Sequence, residues 1–291
     1  MTVNASDEKT FVIPGHAILL TALAMLAFAA NSILCRIALE RTAIDPASFT
    51  AIRLISGAAM LWIVVRIRRG DTKLAGNLAS ALALFVYAAG FSFAYVSLPT
   101  ATGALLLFGT VQITMMGHAI WAGERLRPLQ VSGYVLALGG LVGLLLPGVS
   151  SPPLGGAALM LAAGVAWGIY SLRGRGQGDA SRVTAGNFLR TVPFALVLLL
   201  VMRGDLSLDN AGVGYAVVSG ALTSGIGYVI WYSALRLLRA TTAATVQLSG
   251  PLIVALGGTA FLGEPLTMRW ALASCAILGG IAMVILQRPS E

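Results

Sequence analysis

Apolar residues run through this chain in blocks of about twenty, the length a helix needs to cross ~30 Å of hydrocarbon. Each block is closed by a charge, a proline or a glycine. The blocks lie at 13–35, 46–65, 76–97, 101–121, 129–147, 156–172, 184–202, 212–234, 241–261 and 269–287. They predict an all-α, polytopic membrane protein with ten transmembrane helices. The first block is too long for the apolar region of a secretory signal, and it has a counterpart later in the chain, so it counts as a span.

The pattern also repeats. A Gly-Glu pair follows the fourth apolar run, within AGERLRP at 122–128, and recurs 140 positions later in LGEPLT at 262–267. LALGGLVGLLL at 136–146 matches AILGGIAMVIL at 276–286, and AFAANSILCR at 27–36 matches AWGIYSLRGR at 166–175. These matches divide the chain into two five-span units, 13–147 and 156–287. Five is odd, so the second unit enters the membrane upside down. A 5+5 inverted repeat is the signature of alternating-access carriers, whose substrate site lies near the midplane between the units. Glu124 and Glu264 are expected to organise helix ends on opposite faces, not to hold substrate.

Composition supports this class. Hydrophobic residues make up 57% of the chain and charged residues 10%, against ~25% charged in soluble domains. The net charge of +8 is read by loop. With the N-terminus inside, the outer segments hold Arg36, Arg41, Arg203 and Arg269, Arg53 and Arg190 fall within spans, and the remaining thirteen of 19 Lys and Arg lie on the inner side. The positive-inside rule then puts both termini in the cytoplasm. The basic excess is topological and implies no nucleic-acid partner. No CxxC, HExxH, GxxxxGK or GxSxG pattern occurs, so nothing points to a metal, a cofactor or an enzyme. Cys35 and Cys275 read as small packing residues.

The five-plus-five spans, the Trp167-x-x-Tyr170 pair and Gly-Glu-x-Leu after spans four and nine resemble the drug/metabolite transporter superfamily, in its ten-helix branch built of two EamA domains. Within it the chain is most similar to the YddG-type exporters of amino acids, aromatic ones among them. The resemblance implies a multi-pass carrier of the bacterial inner membrane with a central cavity for small molecules. The chain departs from the pattern at Phe28, where members often carry Trp, and at Val111, where a fourth-span proline is usual; Pro251 supplies its ninth-span counterpart.

The candidate site follows from which polar groups lie within spans. None of the eleven acidic residues falls in the middle of a span, which argues against permanent cations as substrates and against proton coupling through a carboxylate. His118 reads as a packing residue. Arg53 and Arg190 occupy equivalent places in spans two and seven; an arginine at such depth costs ~2.5–3.5 kcal/mol on insertion scales and often marks a substrate path, with snorkelling as its rival. Phe28 and Asn31, Trp167 and Tyr170, and Tyr228 and Trp231 are each three apart; Tyr87, Phe91 and Tyr95 share a face. Gln112, Asn187 and Gln247 add uncharged donors and acceptors. Tyr95 and Tyr232, near span ends, are expected in the interfacial belt. The glycines, including Gly220, are expected mainly to permit close helix packing.

The substrate-binding set is thus Trp167, Tyr170, Asn31, Tyr87, Gln112, Arg53, Tyr228 and Gln247. It describes a wide, aromatic, polar site without fixed negative charge, suited to amino acids held loosely and carried by a facilitator. Two rivals remain. An exchanger of nucleotide sugars or phosphorylated metabolites would need two or more inward basic groups, and a channel would conduct ions.

Overall fold

Prolines and polar caps punctuate the helices of the computed structural model, which describes residues 15–69, 75–123, 127–148, 151–174, 179–235, 237–238 and 246–286. The elements are α1 (Gly15–Arg41), α2 (Pro46–Arg69), α3 (Leu78–Tyr95), α4 (Thr100–Trp121), α5 (Pro128–Leu145), α6 (Leu154–Gly174) and α7 (Ala180–Val201). The eighth span consists of α8 (Asn210–Val218), a π-helical segment (Ser219–Ile226) and α9 (Gly227–Leu235). The ninth consists of α10 (Ser249–Gly257) and a second π segment (Gly258–Leu262), and α11 (Met268–Leu286) is the tenth. Nine of these spans are long and apolar enough to cross a membrane, and the shorter apolar helix Ser249–Leu262 completes the set among the described residues.

The starts are local. α2 and α5 begin on Pro46 and Pro128, where a missing N–H costs nothing. Asn77 caps α3 by accepting from Ser80 N at 2.9 Å. Asp179 caps α7 through the amides of Ser181 and Arg182. The ninth span stops at Gly263, whose φ of +71° is open to glycine without a Cβ penalty.

Hydrogen bonds between helix ends establish the alternation. Arg36, late in α1, reaches the carbonyl of Tyr95, at the end of α3. Arg173, late in α6, reaches Ser80 and Asn77 at the start of α3. α1 and α6 therefore run in opposite directions, and the two five-span units are inverted. The packing repeats the inversion. α3 and α4 pack on α6, as the eighth and ninth spans pack on α1, while α2 with α7 and α5 with α11 are their own images. Nearly every strong contact thus joins the two units, and the bundle centre is built from both.

Large apolar side chains such as Leu200, Val201, Leu256 and Leu272 face outward and are well exposed, the surface a lipid-embedded bundle presents. Cys275 is on that surface too, so only Cys35 packs inside as expected.

Asp45, between α1 and α2, ties two loops at one end of the bundle. Its Oδ1 accepts from Ala47 N and Ser48 N, both at 2.9 Å, and its Oδ2 accepts from Ser207 N at 2.9 Å. Burial raises its pKa, but hydrogen bonds from the Ser48 side chain and from the Ser207, Ser48 and Ala47 amides outweigh burial and hold it below the ordinary carboxylate value.

Candidate central site

Arg53 is the most deeply buried charge described. It is 2% exposed on α2, and its surroundings compensate it without a carboxylate. Nε donates to Ser224 Oγ at 3.3 Å and Nη2 to Tyr87 Oη at 3.1 Å. The guanidinium lies 4.9 Å from the Phe91 ring centre and 5.4 Å from that of Tyr87, attractions worth ~0.5–2 kcal/mol each. Its Nη1 is buried with no hydrogen-bond partner.

A wall of rings adjoins it. Trp167 of α6 lies 4.6 Å from Tyr87, 5.3 Å from Tyr170 and 5.2 Å from Tyr228. Tyr228 of α9 also meets Phe28 and Phe188, each at 5.8 Å. Phe28 and Trp167 are repeat equivalents, and both touch Tyr228. The rings come from α1, α3, α6, α7 and α9, so both units contribute.

Asn31 belongs to a second layer. Its Oδ1 accepts from Ser219 Oγ at 2.7 Å and from Thr223 Oγ1 at 3.3 Å. Ser219, Thr223 and Ser224 all lie in the π segment of the eighth span, and such segments are frequent at functional sites. The segment serves two neighbours, α1 through Asn31 and α2 through Arg53. Gly220 makes this approach feasible. A Cβ there would stand 2.2 Å from the Arg53 carbonyl oxygen and 2.0 Å from Ser56 Oγ. It therefore packs as expected, inside a segment whose π geometry the apolar pattern did not announce.

The structure thus brings together Arg53, Tyr87, Trp167, Tyr170 and Tyr228, with Asn31 joined through the π segment. Gln112 is buried on α4, and Gln247 is half-buried just before α10. No hydrogen bond or ring contact described joins either to Arg53 or to the rings. Ser224, Ser219, Thr223 and Phe188 were missed, and Phe91 was placed on the Tyr87 face but left out of the set. Phe91 shares a stripe with Tyr87, but the hydroxyls look like any small polar residues until their partners are known.

Three expectations change. Tyr95 is fully buried, packed edge-on to Phe91 at 4.7 Å, and does not sit in an interfacial belt, because the start of α4 at Thr100 and Gly103 packs against its ring. α7 starts at Ala180, earlier than 184, so Arg190 sits deeper along its helix than Arg53 does along α2. Its Nη1 donates to the carbonyls of Ala75 and Gly186, each at 2.8 Å. It fastens a loop and is no part of the cluster. Asn187 likewise anchors that loop, accepting from Asn77 N at 3.0 Å.

The two ends differ. At one, Arg36 pairs with Glu264 at 3.2 Å and Glu40 at 3.3 Å, and Glu264 Oε2 also accepts from Thr100 N at 2.6 Å. The second Gly-Glu pair therefore latches α1, α4 and the ninth span, a helix-end role as expected; Glu124 lies outside the described residues. At the other end a pocket of about 60 Å³ is lined by Val65, Arg68, Asp179, Ser181, Arg182, Tyr232 and Ser233. Tyr232, in that lining, is one helical turn beyond Tyr228 on the same helix.

Residues 15–146 and 154–286 each match the EamA-like transporter family. The chain is 57% identical over 274 residues to the uncharacterized protein PA1977 of Pseudomonas aeruginosa, covering 94% of this chain and 96% of that one. It is 26% identical to an uncharacterized transporter of Archaeoglobus fulgidus over 90% of this chain and 95% of that one. A threonine/homoserine exporter, RhtA of Salmonella typhimurium, is 34% identical over 175 residues, which span 56% of this chain and 58% of the exporter. A solved crystal structure shares the fold at a TM-score of 0.64 with 21% identity, covering 92% of this chain and 96% of the other.

Proposed function

From the premise that the chain belongs to the EamA-like transporter family, we propose that it exports amino acids, aromatic ones included, across the bacterial inner membrane. It is a multi-pass membrane protein of a transporter family, not an enzyme. The observation that carries the finer reading is Arg53: a buried guanidinium with no carboxylate partner described, beside rings from both inverted units. A carboxylate would pair with it, and an apolar side chain would lie on Trp167, Tyr87, Tyr170 and Tyr228. Gln112 and Gln247 complete the set as outer contacts of a rearranged state. The partial likeness to a threonine/homoserine exporter supports the amino-acid class.

The mechanism is rocking of the two units about this cluster. The end held by Arg36, Glu264 and Thr100 is latched, and the end near Arg68 and Tyr232 carries a pocket instead of such a latch among the described residues. By the distribution of Lys and Arg, the latched end is periplasmic, and both termini are cytoplasmic. A single arginine in the cluster favours a carboxylate over a phosphate-bearing substrate, since Arg190 is engaged by backbone carbonyls.

The test is counterflow of labelled L-phenylalanine and L-threonine with purified protein in liposomes, without a pH gradient. Both should accumulate, and Trp167→Ala should abolish accumulation. Movement only under an imposed pH gradient would rule out the facilitator, and movement of neither amino acid would overturn the substrate class.

A further inference from the structure

The acceptors described in the central cluster are neutral oxygens, and those of Asn31, Ser224 and Tyr87 already accept from the cluster's own donors. Asn31 Oδ1 takes two hydroxyls, from Ser219 and Thr223, which matches the two lone pairs of a carbonyl. Ser224 Oγ and Tyr87 Oη accept from Arg53. Glu264, a carboxylate on the far side of Tyr95, is held by Arg36 and Thr100 N. What stays unmatched is a donor: Nη1 of Arg53, on a side chain 2% exposed. Ser224 and Tyr87 hold the other nitrogens, so the guanidinium plane is oriented before any ligand arrives.

Resting on the reading that this cluster is the substrate site, we propose that it selects its substrate by the carboxylate alone, and that the ammonium group of an amino acid is dispensable. A buried unpaired donor penalises any ligand that leaves it unpaired, and an ammonium brought beside Arg53 adds repulsion with no acidic group described to offset it. The substrate class therefore extends beyond amino acids to aromatic monocarboxylates that lack an amine. Aromatic amines that lack a carboxylate are excluded, although they carry the same ring and fill the same apolar wall. Ser224 and Tyr87 act as positioning residues for this choice.

The experiment compares L-phenylalanine, 3-phenylpropionate and phenethylamine. It uses two readouts on the full chain: thermal unfolding of detergent-purified protein with each compound, and competition with labelled L-phenylalanine counterflow in liposomes. Phenylalanine and phenylpropionate should both raise the unfolding temperature and compete, and phenethylamine should do neither. Arg53→Gln should weaken both acids by about 10- to 100-fold, the cost of a lost charge-assisted hydrogen bond. Arg53→Lys, which keeps the charge and guards against a folding defect, should restore part of the effect. Binding of phenethylamine comparable to that of phenylpropionate, failure of phenylpropionate while phenylalanine binds, or acid binding that survives Arg53→Gln would each overturn the proposal. If phenylpropionate binds through Arg53 while no amino acid moves, the amino-acid reading fails and this one stands. If phenylalanine moves independently of Arg53, the reverse holds.

Discussion

Arg36 and Arg53 are both arginines within helices of the first unit, and they do opposite things. Arg36 is saturated: two carboxylates at 3.2 and 3.3 Å and two backbone carbonyls, of Tyr95 and Val96, at 2.9 and 3.2 Å. Arg53 is more deeply buried, yet it has two neutral oxygens, two ring faces and one orphaned nitrogen. A charge whose partners are all supplied by the chain is a fastening. A charge held in place but left incompletely paired is available to something that the chain does not contain.

The largest expected effect that bears on this contrast is Glu264→Ala. It leaves a partly buried Arg36 without its cross-helix carboxylate and Thr100 N–H uncapped, so unfolding of the solubilised protein should become easier by about 1.5–3 kcal/mol. Substrate binding by the folded fraction should survive, since no contact of the Arg53 cluster is removed. Arg53→Met should do the reverse. It keeps apolar bulk and removes a buried cation, so the unfolding temperature should hold or rise, while liposome transport is lost. If Arg53→Met unfolds the protein as readily as Glu264→Ala does, the two arginines play one role and the distinction falls.

Gly220→Ala sharpens the comparison from the other side of Arg53. Its Cβ would collide with the Arg53 carbonyl and with Ser56, and such overpacking costs ~1–3 kcal/mol. Transport should drop together with stability, because Ser224 moves away from the guanidinium. Arg190→Gln should cost under ~1 kcal/mol and leave transport intact, since only the loop at Ala75 depends on it. The smallest effect belongs to Asp45. Its pKa is lowered on folding, so its contribution is fully present above about pH 4, its unfolded value, and is lost as pH falls through the lower folded value. Asp45→Asn should therefore flatten the acid limb of an unfolding profile and change little near neutrality.

Much of the fold was legible because it depends on local quantities. Span length is set by hydrocarbon thickness, so apolar runs were enough to count ten spans, and an odd number per unit was enough to invert the second. Trp167, Tyr170, Tyr87 and Tyr228 were legible as a group for a similar reason: rings at three- and four-residue spacing share a helix face. The failures are equally specific. Tyr95 looked interfacial because it ends a span, yet the start of α4 packs over its ring. Arg53 and Arg190 looked equivalent, yet one meets a tyrosine and a serine from other spans and the other meets a backbone loop.

The membrane class, the span count, the inverted duplication and the want of carboxylates at span centres are all readable along the chain, since each is a property of one segment or of two segments compared. Which arginine is paired, which asparagine is hydroxyl-bonded and which glycine is pressed against a neighbouring backbone emerge once the helices are packed together. Those outcomes depend on distances of a few ångströms between helices far apart in the chain, and hydrogen bonding and ion pairing are lost over just such distances.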